Sequence, residues 1–250
     1  MDTNKKLNFD YVSETGLVRK ENQDSVFLSS KGIVFCVADG MGGGSCGALA
    51  SSIMCEEVKN TEESLNFDAN ASIESAIEKS NERIFEYASK NGLKQMGTTV
   101  VALAFETANT NKAFVYHIGD SRLYRIRDGR AELLTSDHTV SNQLIESVGG
   151  NMELTERLRS RNHPLSHILT RVVGGSREVK PDKISIEVLK GDKFLLCSDG
   201  VHDVVDIKML EQIFLKATDV KSVCCKLKET VLQKGAADNF SFIAIEVESV

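Results

Sequence analysis

The chain has 250 residues, 41% of them hydrophobic and 26% charged, which is length and apolar content enough for one substantial core. Thirty Lys and Arg against 36 Asp and Glu leave a net charge of −6, which excludes a strongly cationic nucleic-acid binder and provides no basic excess to hold anionic lipid. No apolar run approaches the ~18 residues of a membrane span, and the opening MDTNKKLNFDY lacks the apolar stretch of a secretory signal. The expectation is a soluble, cytoplasmic protein without nucleic-acid or membrane partners. Six cysteines (Cys36, Cys46, Cys55, Cys197, Cys224, Cys225) form no CxxC pair and sit mostly in apolar runs, the pattern of buried free thiols rather than of a disulfide framework or zinc site. Two prolines and no Gly/Ser-rich stretch leave no visible linker, so residues 1–250 read as a single domain.

In chain order, Ile33 to Ala38 reads as a strand and Ala48 to Val58 as a short helix. Ile73, Ile77, Ile84 and Ala88 then recur at helical spacing. Between Thr98 and Leu134 the blocks TTVVALAF, AFVYHI, LYRI and AELL, separated by short polar connections and the turn pair Asp128-Gly129, read as one antiparallel meander. Residues 136–166 break this rhythm. They are polar, contain Gly149-Gly150 and lack sustained periodicity, as binding or lid segments do. Strands follow at Ile184 to Leu189 and Phe194 to Cys197. Asp206 is placed to cap a helix over Ile207 to Leu215, and Val220, Val223, Cys224, Leu227 and Val231 form a further helical stripe that Gly235 stops. Phe240 to Val247 is the last strand. The pattern predicts an α+β fold of antiparallel sheets covered by helices.

Three apolar runs end directly in an aspartate followed by a small residue: Asp39-Gly40, Asp120-Ser121 and Asp199-Gly200. Asp24, in ENQD, and Asp238, just before the last strand, stand in similar settings. One such residue is an ordinary strand exit. Five suggest convergence on one cleft, where the carboxylates would repel one another unless a cation neutralised them. An all-oxygen ligand set selects Mg²⁺ or Mn²⁺ over zinc, and the five histidines show no HExxH motif.

Two other motifs match as strings. Gly42 to Gly47 satisfies GxGxxG, and Gly43 to Gly47 satisfies GxSxG around Ser45. The first needs a βαβ unit, and KNTEESLNFDAN after the helix is not an apolar strand. The second needs its serine on the sharp turn directly after a parallel strand, whereas Asp39 to Gly44 intervene here. A glycine-rich turn that lets backbone approach a ligand accounts better for both.

The blocks Arg19-Lys20-Glu21-Asn22-Gln23-Asp24, Val37-Ala38-Asp39-Gly40-Met41-Gly42-Gly43, Gly97-Thr98-Thr99, Gly119-Asp120-Ser121-Arg122, Leu169-Thr170-Arg171, Ser198-Asp199-Gly200 and Asp238-Asn239 occur in that order across about residues 9 to 247. Together they resemble the signature of the metal-dependent protein phosphatases, type 2C (PPM), in bacterial form. The resemblance implies a four-layer αββα sandwich of two mostly antiparallel sheets flanked by helices.

It also implies roles. Asp39 would bridge two metals, Mn²⁺ or Mg²⁺, with the Gly40 carbonyl as a further ligand and Asp24, Asp199 and Asp238 completing the acidic set. Asp120, Asp199 and Asp203 match a weaker third metal site. Arg19 would grip the substrate phosphate and Asn239 would orient Asp238 or shape its turn, so the implied catalytic residues are Asp39, Asp24 and Arg19. Residues 136–166 would form the flap that influences substrate choice. The implied reaction is direct attack on phosphoserine or phosphothreonine by a hydroxide shared between the metals, in a monomer that reverses a Ser/Thr kinase. A catalytically silent phosphoprotein-binding domain and a Ser45 hydrolase are the competing readings.

Three departures from the family pattern stand out. Relatives often carry a histidine in or just after the DGxGG turn, where this chain has Met41 and Gly44, so the leaving-group acid is unassigned. His138 and His163 are candidates from the flap, although a structural role suits each better. HPLSHILTR differs from the commoner HPxRNxLTR at Ser166 and His167.

Overall fold

The computed structural model describes residues 6–43, 45–64, 67–106, 111–147, 155, 158 and 163–249; Gly44 and the Gly149-Gly150 pair lie outside them. In chain order the elements are β1 (Lys6–Glu14), β2 (Asp24–Leu28), β3 (Val34–Met41), α1 (Ser45–Glu62), α2 (Ser72–Lys90), β4 (Gly97–Thr98), β5 (Val100–Phe105), β6 (Lys112–Ile118), β7 (Arg122–Arg127), β8 (Arg130–Leu133), α3 (Val140–Ser147), β9 (Asp182–Glu187), β10 (Lys193–Cys197), α4 (Asp199–His202), α5 (Ile207–Lys216), α6 (Val220–Gln233) and β11 (Phe240–Ser249).

Period-2 alternation sorts the side chains into three packed layers. Along β3, Val34, Cys36 and Ala38 face α1 and α2, while Phe35 and Val37 face the opposite sheet. Along β11, Phe240, Phe242 and Ala244 face α5 and α6, while Ile243, Ile245 and Val247 point inward. One sheet runs β1-β11-β10-β7-β8 and the other β2-β3-β5-β6-β9, with β4 paired to the end of β3. Every pairing among the described residues is antiparallel. Between the sheets a chain of edge-to-face aromatic contacts runs Phe9, Phe35, Phe105, Phe194, with ring centroids 4.9, 6.1 and 6.2 Å apart. Such pairs add about 0.5–1.5 kcal/mol each beyond the area they bury. The architecture is the expected α+β sandwich of helices, two sheets and helices.

The stretch from Thr98 to Leu134 is not one meander. β5 and β6 pair in one sheet, whereas β7 and β8 pair in the other. The chain crosses between sheets at Gly119-Asp120-Ser121, where Gly119 has φ +104° and a Cβ would meet the Thr99 side chain at 2.6 Å. Alternation alone does not reveal such a crossing, since both halves look alike in sequence. Part of the expected irregular segment is also helical: α3 spans only eight residues, too short for a clear periodic signal.

Helix ends follow local chemistry. Asp206 accepts the Met209 backbone N–H at 2.9 Å, the expected cap. Asp219 and Ser222 form a reciprocal capping box on α6.

Topology then collects the chemistry at one end. With all neighbours antiparallel, the C-terminal ends of β3, β6 and β10 and the N-terminal ends of β2, β5, β7 and β11 share one edge of the sandwich. The five aspartates singled out in the sequence lie at these ends.

Candidate active site

Asp24 and Asp39 are register partners across β2 and β3, so their carboxylates start from directly opposed backbone positions. Asp199 opens α4 directly after Ser198 at the end of β10, and Asp238 stands two residues before β11. Asp120 lies in the crossing between β6 and β7. Asp39, Asp199, Asp238, Asp120, Gly40 and Arg19 all line a cavity of about 1020 Å³, with Asp24 buried behind them. Asp203 lines a neighbouring cavity of about 430 Å³ that shares Asp120 with the first.

Backbone and hydroxyl contacts hold this floor in place. Thr99 Oγ1 accepts the Asp39 N–H at 2.9 Å, and Thr98 Oγ1 donates to the Asp39 carbonyl at 2.8 Å. Ser198 Oγ donates to Asp24 Oδ2 at 2.8 Å, bridging the two sheets. Gly40 and Gly47 touch backbone to backbone: a Cβ on Gly40 would lie 2.0 Å from the Gly47 carbonyl oxygen. Only glycine permits this approach, which seats the first turn of α1 against the end of β3.

Asn239 does more than shape the turn at Asp238. Its Oδ1 accepts the Gln23 N–H at 2.9 Å, and its Nδ2 donates to the carbonyls of Thr15 and Glu21 at 2.8 and 2.9 Å. It therefore fixes the loop that carries Arg19, while Asp238 Oδ1 accepts the Asn239 backbone N–H. Arg19 Nη2 donates to Asp238 Oδ2 at 2.7 Å at the exposed rim of the cavity.

The electrostatics are those of crowded acids. Burial, then the nearby Asp199 and Asp238 charges, pushes Asp24 up to about 7 against the hydrogen bonds that favour its charged form. Burial with Asp203 and Asp238 raises Asp199 to about 6. Burial and neighbouring carboxylates also raise Asp39 and Asp120 well above the usual range. Asp24 Oδ1 is buried with no hydrogen-bond partner. An orphaned acceptor among mutually repelling carboxylates and a backbone carbonyl fits a hard divalent cation with oxygen ligands.

Neither flap histidine stands in the cavity. His138 is buried, and its Nδ1 accepts the Gly119 N–H at 3.0 Å. His163 accepts the Leu165 N–H within its own turn. The group His117, His138 and Asp182 is close enough to share an ion. However, the Arg171 guanidinium is already there, with Nη1 2.9 Å from His138 Nε2 and 2.7 Å from Asp182 Oδ1. That cation supports the Gly119 crossing. Ser45 opens α1 beyond β3, a strand of an antiparallel sheet, so neither a nucleophile elbow nor a βαβ dinucleotide site is present there. Sequence reasoning missed Ser198 as the partner of Asp24 and His167 as a residue of the cavity wall. Only the departure at His167 from the common flap pattern hinted at the latter.

The protein phosphatase 2C family model matches residues 18–232, a span that holds Arg19, Asp24, Asp39, Asp120, Asp199 and Asp203 and ends before Asp238. The chain belongs to the protein phosphatase 2C family. It is 32% identical over 238 residues to the serine/threonine protein phosphatase PstP of Mycobacterium tuberculosis, covering 94% of this chain and 44% of that protein. It thus spans under half the length of that relative. It is 29% identical over 245 residues to a putative 2C-type protein phosphatase of Streptococcus pyogenes, covering 95% of this chain and 96% of the relative. A crystal structure of the PstP catalytic domain in complex with two manganese ions superposes with a TM-score of 0.83 at 30% identity, covering 97% of this chain and 99% of that one. This member of the 2C family therefore shares its fold as well as its ordered motifs with bacterial serine/threonine phosphatases.

Proposed function

We propose that this chain is a metal-dependent protein serine/threonine phosphatase that hydrolyses phosphoserine and phosphothreonine, forming one catalytic unit over residues 1–250 with a substrate-influencing flap near 136–166. The observation that carries this reading is the gathering of Asp24, Asp39, Asp199 and Asp238 on one floor with Arg19 at its rim. Asp24, Asp39, the Gly40 carbonyl, Asp199 and Asp238 are the proposed holders of two Mn²⁺ or Mg²⁺ ions. Asp120, Asp199 and Asp203 are proposed for a weaker third. When bound, such a pair supplies Lewis acidity and brings the pKa of water toward ~7, which suits in-line attack on a phosphomonoester.

The chain's own residues supply position and charge. Thr98 and Thr99 hold the Asp39 backbone from both sides, so its carboxylate is fixed before substrate arrives. Ser198 holds one oxygen of Asp24 and leaves the second, buried without a hydrogen-bond partner, as a proposed metal ligand. Arg19 is the proposed phosphate clamp: its planar fork, now on Asp238, can turn to a phosphate dianion at the same rim. The proposed catalytic residues are accordingly Asp39, Asp24 and Arg19. No side-chain nucleophile is needed, and among the described residues no cysteine lines the cavity.

Phosphoserine and phosphothreonine are made by Ser/Thr kinases, so phosphorylated proteins and a cognate kinase are the proposed partners. Six free cysteines support a reducing, cytoplasmic setting. Among the described residues no helix is long and apolar enough to cross a membrane. Action as a monomer is part of the same proposal.

The test is phosphate release from a phosphothreonine peptide by EDTA-treated protein, with Mg²⁺ or Mn²⁺ restored. Metal-restored release is expected. A folded protein that binds the peptide but releases no phosphate with either ion is instead the silent binding domain.

A further inference from the structure

We infer that the cavity above the carboxylate floor includes an apolar subsite, formed by Met41, Ile168, Val172 and Val179, that takes an apolar side chain of the substrate peptide within two residues of the phosphoamino acid. The inference rests on the phosphatase reading and adds to it the class of peptide the site prefers.

The cavity is larger than phosphate hydrolysis requires. Its volume of about 1020 Å³ stands at the top of the range of roughly 300–1,000 Å³ for sites that enclose drug-sized ligands, far more than a phosphate group fills. The aspartates and Arg19 account for one part of the wall. Met41, Gln95, Ile168, Val172 and Val179 make up another, outside the acidic floor.

This second part is fixed by backbone pairing. Met41, at the end of β3, is the register partner of Gly97 in β4. The next residue, Thr98, exchanges two backbone hydrogen bonds with Val173, at 3.0 and 2.9 Å. A Cβ on Gly97 would meet the Val172 side chain at 3.0 Å, so glycine there lets Val172 close onto the strand. Val179 packs against the core between β3 and the helices α1 and α2. Ile168 follows the flap: its carbonyl accepts the Val140 N–H at 2.9 Å, and two residues on the Thr170 N–H donates to the His138 carbonyl at 2.8 Å. Its side chain nevertheless remains 48% exposed at the cavity. An ordered backbone that presents apolar surface inside a cleft has its entropic cost met on folding, so a ligand that covers the surface gains the burial at little further cost.

Charge gives this wall little preference of its own. Glu178 and Lys180 line the same cavity with opposite signs, and the Arg171 guanidinium is already bound to Asp182. Apolar contact is left to discriminate. Met41 is unbranched and polarisable, which suits a class of side chains (Leu, Ile, Met, Phe) rather than one shape.

The experiment compares phosphothreonine peptides with Ala or Leu at each position from −2 to +2, assayed with Mn²⁺ on wild type, Ile168→Ser and Val172→Thr, with p-nitrophenyl phosphate as the substrate that has no peptide. Ile168 is half exposed, and threonine keeps the branched shape of valine, so both variants should fold. The expected result is a gain in kcat/KM of about 10-fold for Leu over Ala at one or more positions in the wild type, carried by KM. Both variants should cut that gain to about 3-fold or less and leave p-nitrophenyl phosphate turnover unchanged. A wild type indifferent to Leu at every position, variants that keep the full preference, or variants that lose p-nitrophenyl phosphate turnover in equal measure would overturn the subsite. No turnover of any substrate with Mn²⁺ would instead sink the phosphatase reading, and the Leu-to-Ala ratio of Kd for the same unhydrolysed peptides, read by fluorescence anisotropy, would still decide the subsite.

Discussion

The carboxylate floor and the flap meet at one cleft but are built in different ways. The floor hangs on strand ends: Asp24 and Asp39 are fixed by register, Asp199 and Asp238 by the strands that flank them, and hydroxyls bridge the two sheets. The described residues of the flap are held at its base, by backbone bonds such as Val140 N–H to the Ile168 carbonyl at 2.9 Å and by side-chain contacts. The Arg122 guanidinium grips Asp137 through Nε and Nη2 at 2.9 and 2.5 Å, and Asn142 Nδ2 donates to Ser136 Oγ and to the Asp137 carbonyl. A scaffold dictated by sheet pairing suits chemistry that must not move, whereas a segment pinned at its base suits adjustment to different peptides.

If that contrast is right, changes in the floor should abolish turnover and changes in the flap should retune it. Asp39→Asn should show the largest effect, lowering metal-dependent turnover by about 10³-fold or more, since it removes charge at the centre of the site. It should also raise the thermal midpoint of the metal-free protein at pH 8, because one of several repelling buried carboxylates is gone. Circular dichroism and a melting curve beside the assay check both parts. Arg19→Ala should lower kcat/KM by roughly 10–150-fold, the ~1.5–3 kcal/mol of charged hydrogen bonds to phosphate, with Arg19→Lys recovering part of it.

Much of the floor is legible in the sequence because its logic is local. A strand that ends in Asp-Gly or Asp-Ser announces a carboxylate at a sheet edge, and several such endings in one chain announce a cleft. The partners of those carboxylates are not legible. Ser198 reaches Asp24 across a separation of 174 positions, and Asn239 reaches Gln23 across 216, contacts that exist only once the sheets stack. The sheet crossing at Gly119 was hidden for a similar reason: β6 and β7 have the same alternation, and only the packing decides which sheet each joins. β1 and β2 lie among polar residues near the N-terminal end, where burial on one face leaves a weak pattern.

Smaller effects sharpen the comparison. Ser198→Ala removes the donor to Asp24 and the acceptor of the Ser241 N–H, and should cost about 1–3 kcal/mol in denaturant unfolding. Metal-free protein should be more stable at pH 5 than at pH 8. Asp24 and Asp199, raised to about 7 and about 6 from an ordinary 3.8, hold protons in the folded state that the unfolded chain has already lost, so stability falls as pH rises from about 4 to 7. Saturating Mn²⁺ should shrink or reverse that difference, and unfolding curves at the two pH values with and without the ion measure it. Asn142→Ala, which loosens the flap base, should change KM for a phosphopeptide a few-fold and leave hydrolysis of p-nitrophenyl phosphate nearly unchanged.

The central claim is that the floor carboxylates hold the cations that hydrolyse phosphate. Its most direct measurement couples Mn²⁺ binding stoichiometry to p-nitrophenyl phosphate turnover in wild type, Asp39→Asn and Asp238→Asn. The account predicts two tight equivalents and full activity in the wild type, with loss of at least one equivalent and of turnover in both folded variants. Full Mn²⁺-dependent turnover in folded Asp39→Asn would contradict it.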